Sequence, residues 1–151
     1  MFFSRTSQYA IQALIYLAAQ PSGQWVLKRE IAQNLGVPAA YLAKILQDLA
    51  REKLLYSSRG RAGGFSLRPK AAQSSLLDIV LLTEGARVDR ECLLGLKACS
   101  DETACPLHRE WKPVKKDIFA SLSSVTLIQL ARAVKSGQYR LADLPLALSR
   151  R

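Results

Sequence analysis

Apolar residues recur at helical spacing along most of the chain. Ala10, Ala13, Leu14 and Leu17 fall at i, i+3, i+4 and i+7 and predict a helix from a Ser4 cap to about Ala19, stopped by Pro21-Ser22-Gly23. A short segment from Lys28 to Leu35 puts Ile31 and Leu35 on one side and ends at Gly36, a residue suited to a helix C-cap. Pro38 suits the first turn of the next helix, which runs to about Lys53. Leu42, Ile45, Leu46 and Leu49 form its inner face; Tyr41, Lys44, Asp48 and Arg51 lie opposite. The period then changes. Leu54 to Ser58 and Phe65 to Leu67 read as strands, joined by the turn Arg59-Gly60-Arg61-Ala62-Gly63-Gly64. Pro69 ends this hairpin.

A fourth helix is predicted from Ser75 to about Leu82, with Leu76, Ile79, Val80 and Thr83 on one face and Glu84-Gly85 at its end. Arg87 to Glu91 is a charged connector. Further on, Leu107, Trp111, Val114, Ile118 and Leu122 make a near-heptad stripe. Such a seam on a long helix commonly pairs with a second copy of itself, although Pro113 should kink the helix or shift its start. Thr126 can cap a last short helix with Leu127, Leu130, Ala131 and Val134 inward and Gly137 at its end. Residues from Gln138 onward, ending in Arg150-Arg151, read as a loosely held tail.

A short helix, a glycine turn and an amphipathic helix read as a helix-turn-helix, and the hairpin that follows reads as a wing. Charge strengthens this. The chain carries a formal net charge of +10, and residues 1–70 hold ten Lys/Arg against three Asp/Glu, a net of +7. A basic half with this layout suggests double-stranded DNA as partner. The glycines of the wing let its backbone approach a phosphate, and Arg59 and Arg61 supply charge. No run approaches the ~18 apolar residues of a membrane span, and the N-terminal apolar stretch imitates a signal peptide only weakly. No membrane partner is expected, and the expected location is the cytoplasm.

All three cysteines and the single histidine lie between Cys92 and His108, in the spacing C-x6-C-x5-C-x2-H. An odd cysteine count does not suit a disulfide framework and favours thiolates used as ligands in a reducing compartment. Cys92, Cys99, Cys105 and His108 are therefore a candidate metal set. Spacing alone does not separate zinc from an iron–sulfur cluster, since both accept these donors. A bare thiol switch is a third reading. Nothing in the sequence builds an oxyanion hole or substrate pocket, so an enzyme is not expected. An iron–sulfur electron carrier would not need a basic helix-turn-helix.

The layout over residues 1–135 resembles the Rrf-two family of bacterial winged-helix regulators. The marks are Ser4 to Leu17 with Tyr9-Ala10, Arg29-Glu30-Ile31-Ala32, Tyr41-Leu42, the Arg59 to Phe65 wing and the three cysteines. Ala62 stands where family members often have a glycine. The resemblance implies a homodimer whose long helices cross and whose paired winged helices read a roughly palindromic operator, with RNA polymerase as a further partner. It also implies one iron–sulfur cluster per subunit, 2Fe–2S when a histidine three residues after the last cysteine is the fourth ligand, as His108 is here. A 4Fe–4S cluster on the same loop is the alternative cluster type. In other branches the fourth ligand comes from the first helix, at positions that here hold Gln8 and Gln12, which are poor iron ligands. The first cysteine gap is six residues, where the IscR-like branch commonly has five.

The expectation is a mainly α fold: a winged helix-turn-helix with a two-stranded wing, plus a long C-terminal dimerisation helix. Its parts are residues 1–83 for DNA binding, 84–108 for the cluster loop, 109–135 for the dimerisation helix and the short helix after it, and 136–151 for the tail. Arg29 and the start of the Pro38–Lys53 helix are expected to meet the DNA, with Ala39, Ala40, Tyr41 and Lys44 facing the major groove and Arg59 and Arg61, with Gly63 and Gly64 on the same wing, entering or flanking the minor groove. Trp111, Val114, Ile118 and Leu122 are expected at the dimer interface. The expected function is transcription regulation controlled by redox, nitric oxide or iron and cluster status. In that scheme the state of the Cys92–Cys105 loop sets the spacing of the two recognition helices. A zinc-stabilised or thiol-switch DNA-binding regulator is the alternative.

Overall fold

The computed structural model describes residues 3–85, 88–97 and 99–141. Arg87 of the expected connector and the tail beyond Leu141 lie outside them. Among the described residues the elements run α1 (Arg5–Ala18), α2 (Lys28–Leu35), α3 (Ala39–Arg51), β1 (Leu55–Ser58), β2 (Gly64–Leu67), α4 (Leu76–Glu84), α5 (His108–Ser124) and α6 (Leu127–Lys135). Two 3-10 turns, Pro69–Gln73 and Val88–Arg90, were not expected from the pattern. No helix among the described residues is long and apolar enough to cross a membrane.

The helices begin and end where local chemistry dictates. Ser4 caps α1 by accepting the Ser7 N–H at 3.2 Å. Gly36 closes α2 at φ 66°, and the Val37 N–H reaches back to the Ala32 carbonyl at 3.0 Å. Pro38 is the N-cap of α3 rather than its first helical residue. At the other end Lys53 takes φ 61°, donates to Ala50 O at 3.1 Å, and lets Leu54 donate to Leu49 O at 3.0 Å. That is a Schellman ending with lysine at the position glycine usually holds, so α3 stops at Arg51, short of the expected boundary. Ser75 and Asp78 form a capping box on α4; Thr126 and Gln129 form one on α6.

The predicted stripes meet in one core. Ala10, Ala13, Leu14 and Leu17 of α1 pack with Ile31 and Leu35 of α2, and with Leu42, Ile45, Leu46 and Leu49 of α3. Leu14, Leu42 and Leu46 have no accessible surface, and each such leucine contributes about 2–3 kcal/mol. Ile79 and Leu127 bring α4 and α6 into the same core. An isolated bridge between Ser75 and Thr126 holds the starts of α4 and α6 together: Leu76 N–H donates to Val125 O at 2.9 Å and Leu127 N–H to Ser74 O at 3.0 Å.

The wing is an antiparallel pair in which Leu55 faces Leu67 and Ser58 faces Gly64. It gains a third partner that the pattern did not reveal. Val26 and Phe65 exchange both backbone hydrogen bonds at 2.9 Å, which ties the wing to the segment before α2. α5 runs continuously through Pro113. On it Val114 is exposed, and Trp111, Ile118 and Leu122 are half-buried in the single chain.

Candidate nucleic-acid interface and soft-donor loop

One face of the molecule collects the expected DNA-contact residues. Ala39, Ala40, Tyr41 and Lys44 are all exposed on the first turns of α3. The two alanines leave the helix end open to close approach. Tyr41 is not free to swing. Its hydroxyl shares a 2.7 Å hydrogen bond with the Thr6 hydroxyl of α1, and its ring meets Tyr9 edge-on at 5.8 Å. The first turn of α1 therefore sets the pose of a side chain on the candidate recognition helix.

Arg59 and Arg61 are exposed at the wing tip. Between that tip and the start of α2 lies an open cavity lined by Leu27, Lys28, Arg29, Gly60 and Arg61. Leu27, the N-cap of α2, offers no side-chain acceptor to the first N–H groups of α2. Cations at the positive end of a helix repel its dipole unless an anion joins them. Lys28 was not singled out from the sequence, although it adjoins Arg29.

Gly63 and Gly64 are placed differently from the arginines. A side chain at Gly63 would collide with the backbone of Ser58 and Arg59, and Gly63 is buried. Gly64 has φ 122°, and a Cβ there would collide with the Val26 carbonyl. Packing within the wing already requires glycine at both positions.

The soft donors lie on the loop that leads to α5. The N–H of Gly95, at φ 74°, donates to Cys92 O at 2.9 Å, closing a turn that takes up chain inside the longer first gap. Cys99 N–H donates to Arg90 O at 2.9 Å, and His108 N–H to Cys105 O at 2.9 Å, fixing the loop at both ends. Cys105 lies near enough to the Cys92 sulfur to help lower its pKa. Cys99 Sγ lies 3.5 Å from His108 Nδ1. Among the described residues no three His, Cys, Asp or Glu side chains converge as ligands of one ion.

Cys92 and His108 have different electrostatic settings. Backbone N–H groups of Leu96 and Leu94 point at the Cys92 sulfur and, with Cys105 and the charge of Lys115, hold its pKa below the ordinary thiol value. His108 is nearly buried, and its Nε2 lies 2.9 Å from Asp101 Oδ1. A carboxylate only accepts, so Nε2 donates to Asp101, and Nδ1 is the ring atom that faces Cys99. Lys112 Nζ bonds both oxygens of Asp101 at 2.7 Å. Lys112 first, then His108, keep the Asp101 carboxyl below its ordinary range. The spacing motif did not include Asp101, Lys112 or Lys115.

The loop is joined to the winged-helix part of the fold through the end of α4. Glu84 accepts the Ser4 N–H at 2.6 Å and the Ser7 hydroxyl at 2.5 Å, and Ser7 also meets the Thr83 hydroxyl at 2.6 Å. Gly85, where the connector to the soft-donor loop begins, follows directly. The expected dimer stripe and the exposed leucines Leu93, Leu94 and Leu96 flank the same loop.

The sequence model of the Rrf2 family, described as an iron-dependent transcriptional regulator, matches residues 3–133. A protein of Aquifex aeolicus (strain VF5), classed by its name among HTH-type transcriptional regulators, is 33% identical over 132 residues, 86% of this chain and 91% of that protein. The solved structure of T. potens IscR superposes with a TM-score of 0.70 at 26% identity, covering 90% of each chain. CymR (YrzC), named as the global cysteine regulator of B. subtilis, gives a TM-score of 0.69 at 26% identity over 87% of this chain and 96% of its own.

Proposed function

The chain belongs to the Rrf2 family of transcriptional regulators, and on that premise we propose a regulator whose DNA binding is governed by a 2Fe–2S cluster on Cys92, Cys99, Cys105 and His108. The observation that carries the cluster reading is the Cys99–His108 contact, at 3.5 Å, with His108 Nε2 held by Asp101. A 2Fe–2S centre takes two protein ligands on each iron, whereas a structural zinc site takes four around one point. Cys99 with His108 supplies one such pair, and Cys92 and Cys105, free cysteines of the same loop, remain for the other. When bound, the cluster would supply one-electron redox chemistry and reactivity toward oxidants and nitric oxide.

The chain's own residues do the rest. Asp101 orients the His108 ring, and Lys112 holds Asp101 in place. Lys115 offsets thiolate charge beside Cys92. On the DNA side, α3 enters the major groove with Tyr41 steadied by Thr6, while Lys28, Arg29 and Arg61 take backbone phosphate at the α2 end and the wing. A second copy of the chain covers Val114 and the half-buried α5 stripe, and two winged helices then meet a roughly palindromic site.

The test is DNA selection from a random pool, followed by affinity measurement for anaerobically purified and chelator-treated protein across a salt series. Tight binding to a selected palindrome, with affinity that differs between the two forms, supports the reading. Equal affinity of both forms for every sequence refutes it.

A further inference from the structure

We propose that the cavity between the end of α1, the base of the wing and α6 binds a small organic anion, a carboxylate joined to an apolar body. The cavity measures about 410 Å³, within the roughly 300–1,000 Å³ of small-molecule sites. It shares no lining residue with the opening beside Arg29 and Arg61 or with the cavities along the soft-donor loop. The inference therefore stands apart from both the DNA and the cluster readings.

One face of α6 sets the shape of the ligand. Ile128, Ala131, Arg132 and Lys135 fall at i, i+3, i+4 and i+7, and all four line the cavity. That face is apolar at its start and basic at its end. Leu17 of α1 and Ala72 of the 3-10 turn add to the apolar wall. From Ile128 to Lys135 the helix rises ~10 Å. A ligand lying along it needs an apolar body at one end and an anionic group at the other.

A further cation comes from a different element. Arg68 follows β2 and lines the same cavity. Its Nε donates to Leu55 O at 3.2 Å, and its guanidinium carbon lies 4.2 Å from the centre of the Tyr56 ring. These contacts fix the group but use only one of its five N–H donors, in a fork that matches a carboxylate. Ser66, two residues earlier on the same side of the strand, is 2% exposed and also lines the cavity. No Asp or Glu lies on the wall. The ion pairs among the described residues are Arg51–Asp48, His108–Asp101 and Lys112–Asp101, and none of them engages Arg68, Arg132 or Lys135. Cations on the last turn of α6 suit its dipole, but that does not account for Arg68. A DNA phosphate, for its part, needs no apolar wall.

The experiment uses the full chain. Isothermal titration calorimetry compares phenylbutyrate, its neutral amide and inorganic phosphate. The expected result is saturable binding of phenylbutyrate, with the amide and phosphate each weaker by about tenfold or more. Arg132 and Lys135 are exposed, so Arg132→Gln and Lys135→Gln should leave the fold intact. Each should bring the affinity for phenylbutyrate toward that for the amide. Ala72→Leu fills the apolar part and should abolish binding, with circular dichroism confirming that the variant is folded. Arg5→Gln removes a cation at the far end of α1 and should change nothing. Equal affinity for the acid and the amide, phosphate binding as tightly as phenylbutyrate, or no saturable binding overturns the proposal. So does an equal loss in Arg5→Gln and Arg132→Gln. Displacement of phenylbutyrate by a duplex of random sequence overturns it too, because the cations would then serve backbone phosphate.

Discussion

Ser7→Ala tests the joint between α1 and the end of α4, from which the soft-donor loop leads off. Ser7 has no accessible surface, and its hydroxyl donates to Glu84 at 2.5 Å. A hydrogen bond to a charged acceptor is worth about 1.5–3 kcal/mol. Glu84 keeps the Ser4 N–H at 2.6 Å and is partly open to water, so the loss falls at the lower end, about 1.5–2 kcal/mol. For a chain of this size each kcal/mol is worth about 2–4 °C, giving a fall in Tm of about 3–8 °C. Acid adds a sharper readout. Burial acts to raise the Glu84 pKa, but the hydrogen bonds from Ser7 and Ser4 outweigh it and hold it below the ordinary 4.5. A carboxyl depressed in the folded state contributes stability above its unfolded pKa, and that stability is lost as pH falls through the folded value. The stability difference between wild type and Ser7→Ala should therefore be full at neutral pH and shrink below about pH 4.5. Thermal unfolding followed by circular dichroism at a series of pH values measures it. The double variant Ser7→Ala with Glu84→Gln should lose less than the two single losses combined. Strict additivity, or a Ser7→Ala penalty unchanged from neutral to acid pH, would show that the two side chains do not act as a pair.

Arg61→Ala should weaken binding to a selected DNA site and lower the slope of log affinity against log salt by about one, measured by fluorescence anisotropy. Gly64→Ala should destabilise the chain by about 2 kcal/mol or more, because its φ of 122° is compounded by collision with the Val26 carbonyl. Gly60→Ala, at φ 94° with nothing within 4 Å, should cost only about 1 kcal/mol; chemical denaturation compares the two. Asp101→Ala should cut iron retention about 10–100-fold in competition with a chelator, because His108 loses the group that orients it.

Much of the helical frame could be read from periodicity. The α1 and α3 stripes, the Gly36 stop and the Thr126 start all depend on neighbours within a few residues, and sequence carries that information well. The contacts that assemble the frame span long distances. Val26 with Phe65, Ser75 with Thr126, and Ser7 with Glu84 leave no local signature, since each pairs groups whose spacing is set by the tertiary path. The end of α3 was misjudged by two residues because a Schellman turn with lysine lacks the usual glycine mark. The wing glycines were visible, but their packing role was not, because it depends on the Val26 segment lying against Gly64. In the loop, the crowding of cysteines and histidine was plain. Which donor faces His108 was not, because the tertiary path of the loop and the Asp101 contact set the ring against Cys99.

The central claim is a two-iron centre on two donor pairs, and the most direct measurement is compositional. The full chain should be purified under anaerobic conditions, its visible absorption recorded, and its iron, acid-labile sulfide and zinc assayed per chain. The account predicts visible charge-transfer bands with iron and sulfide in equal amounts, about two of each per chain, all lost in His108→Ala or Cys99→Ser. A colourless protein with one zinc and no sulfide would contradict it.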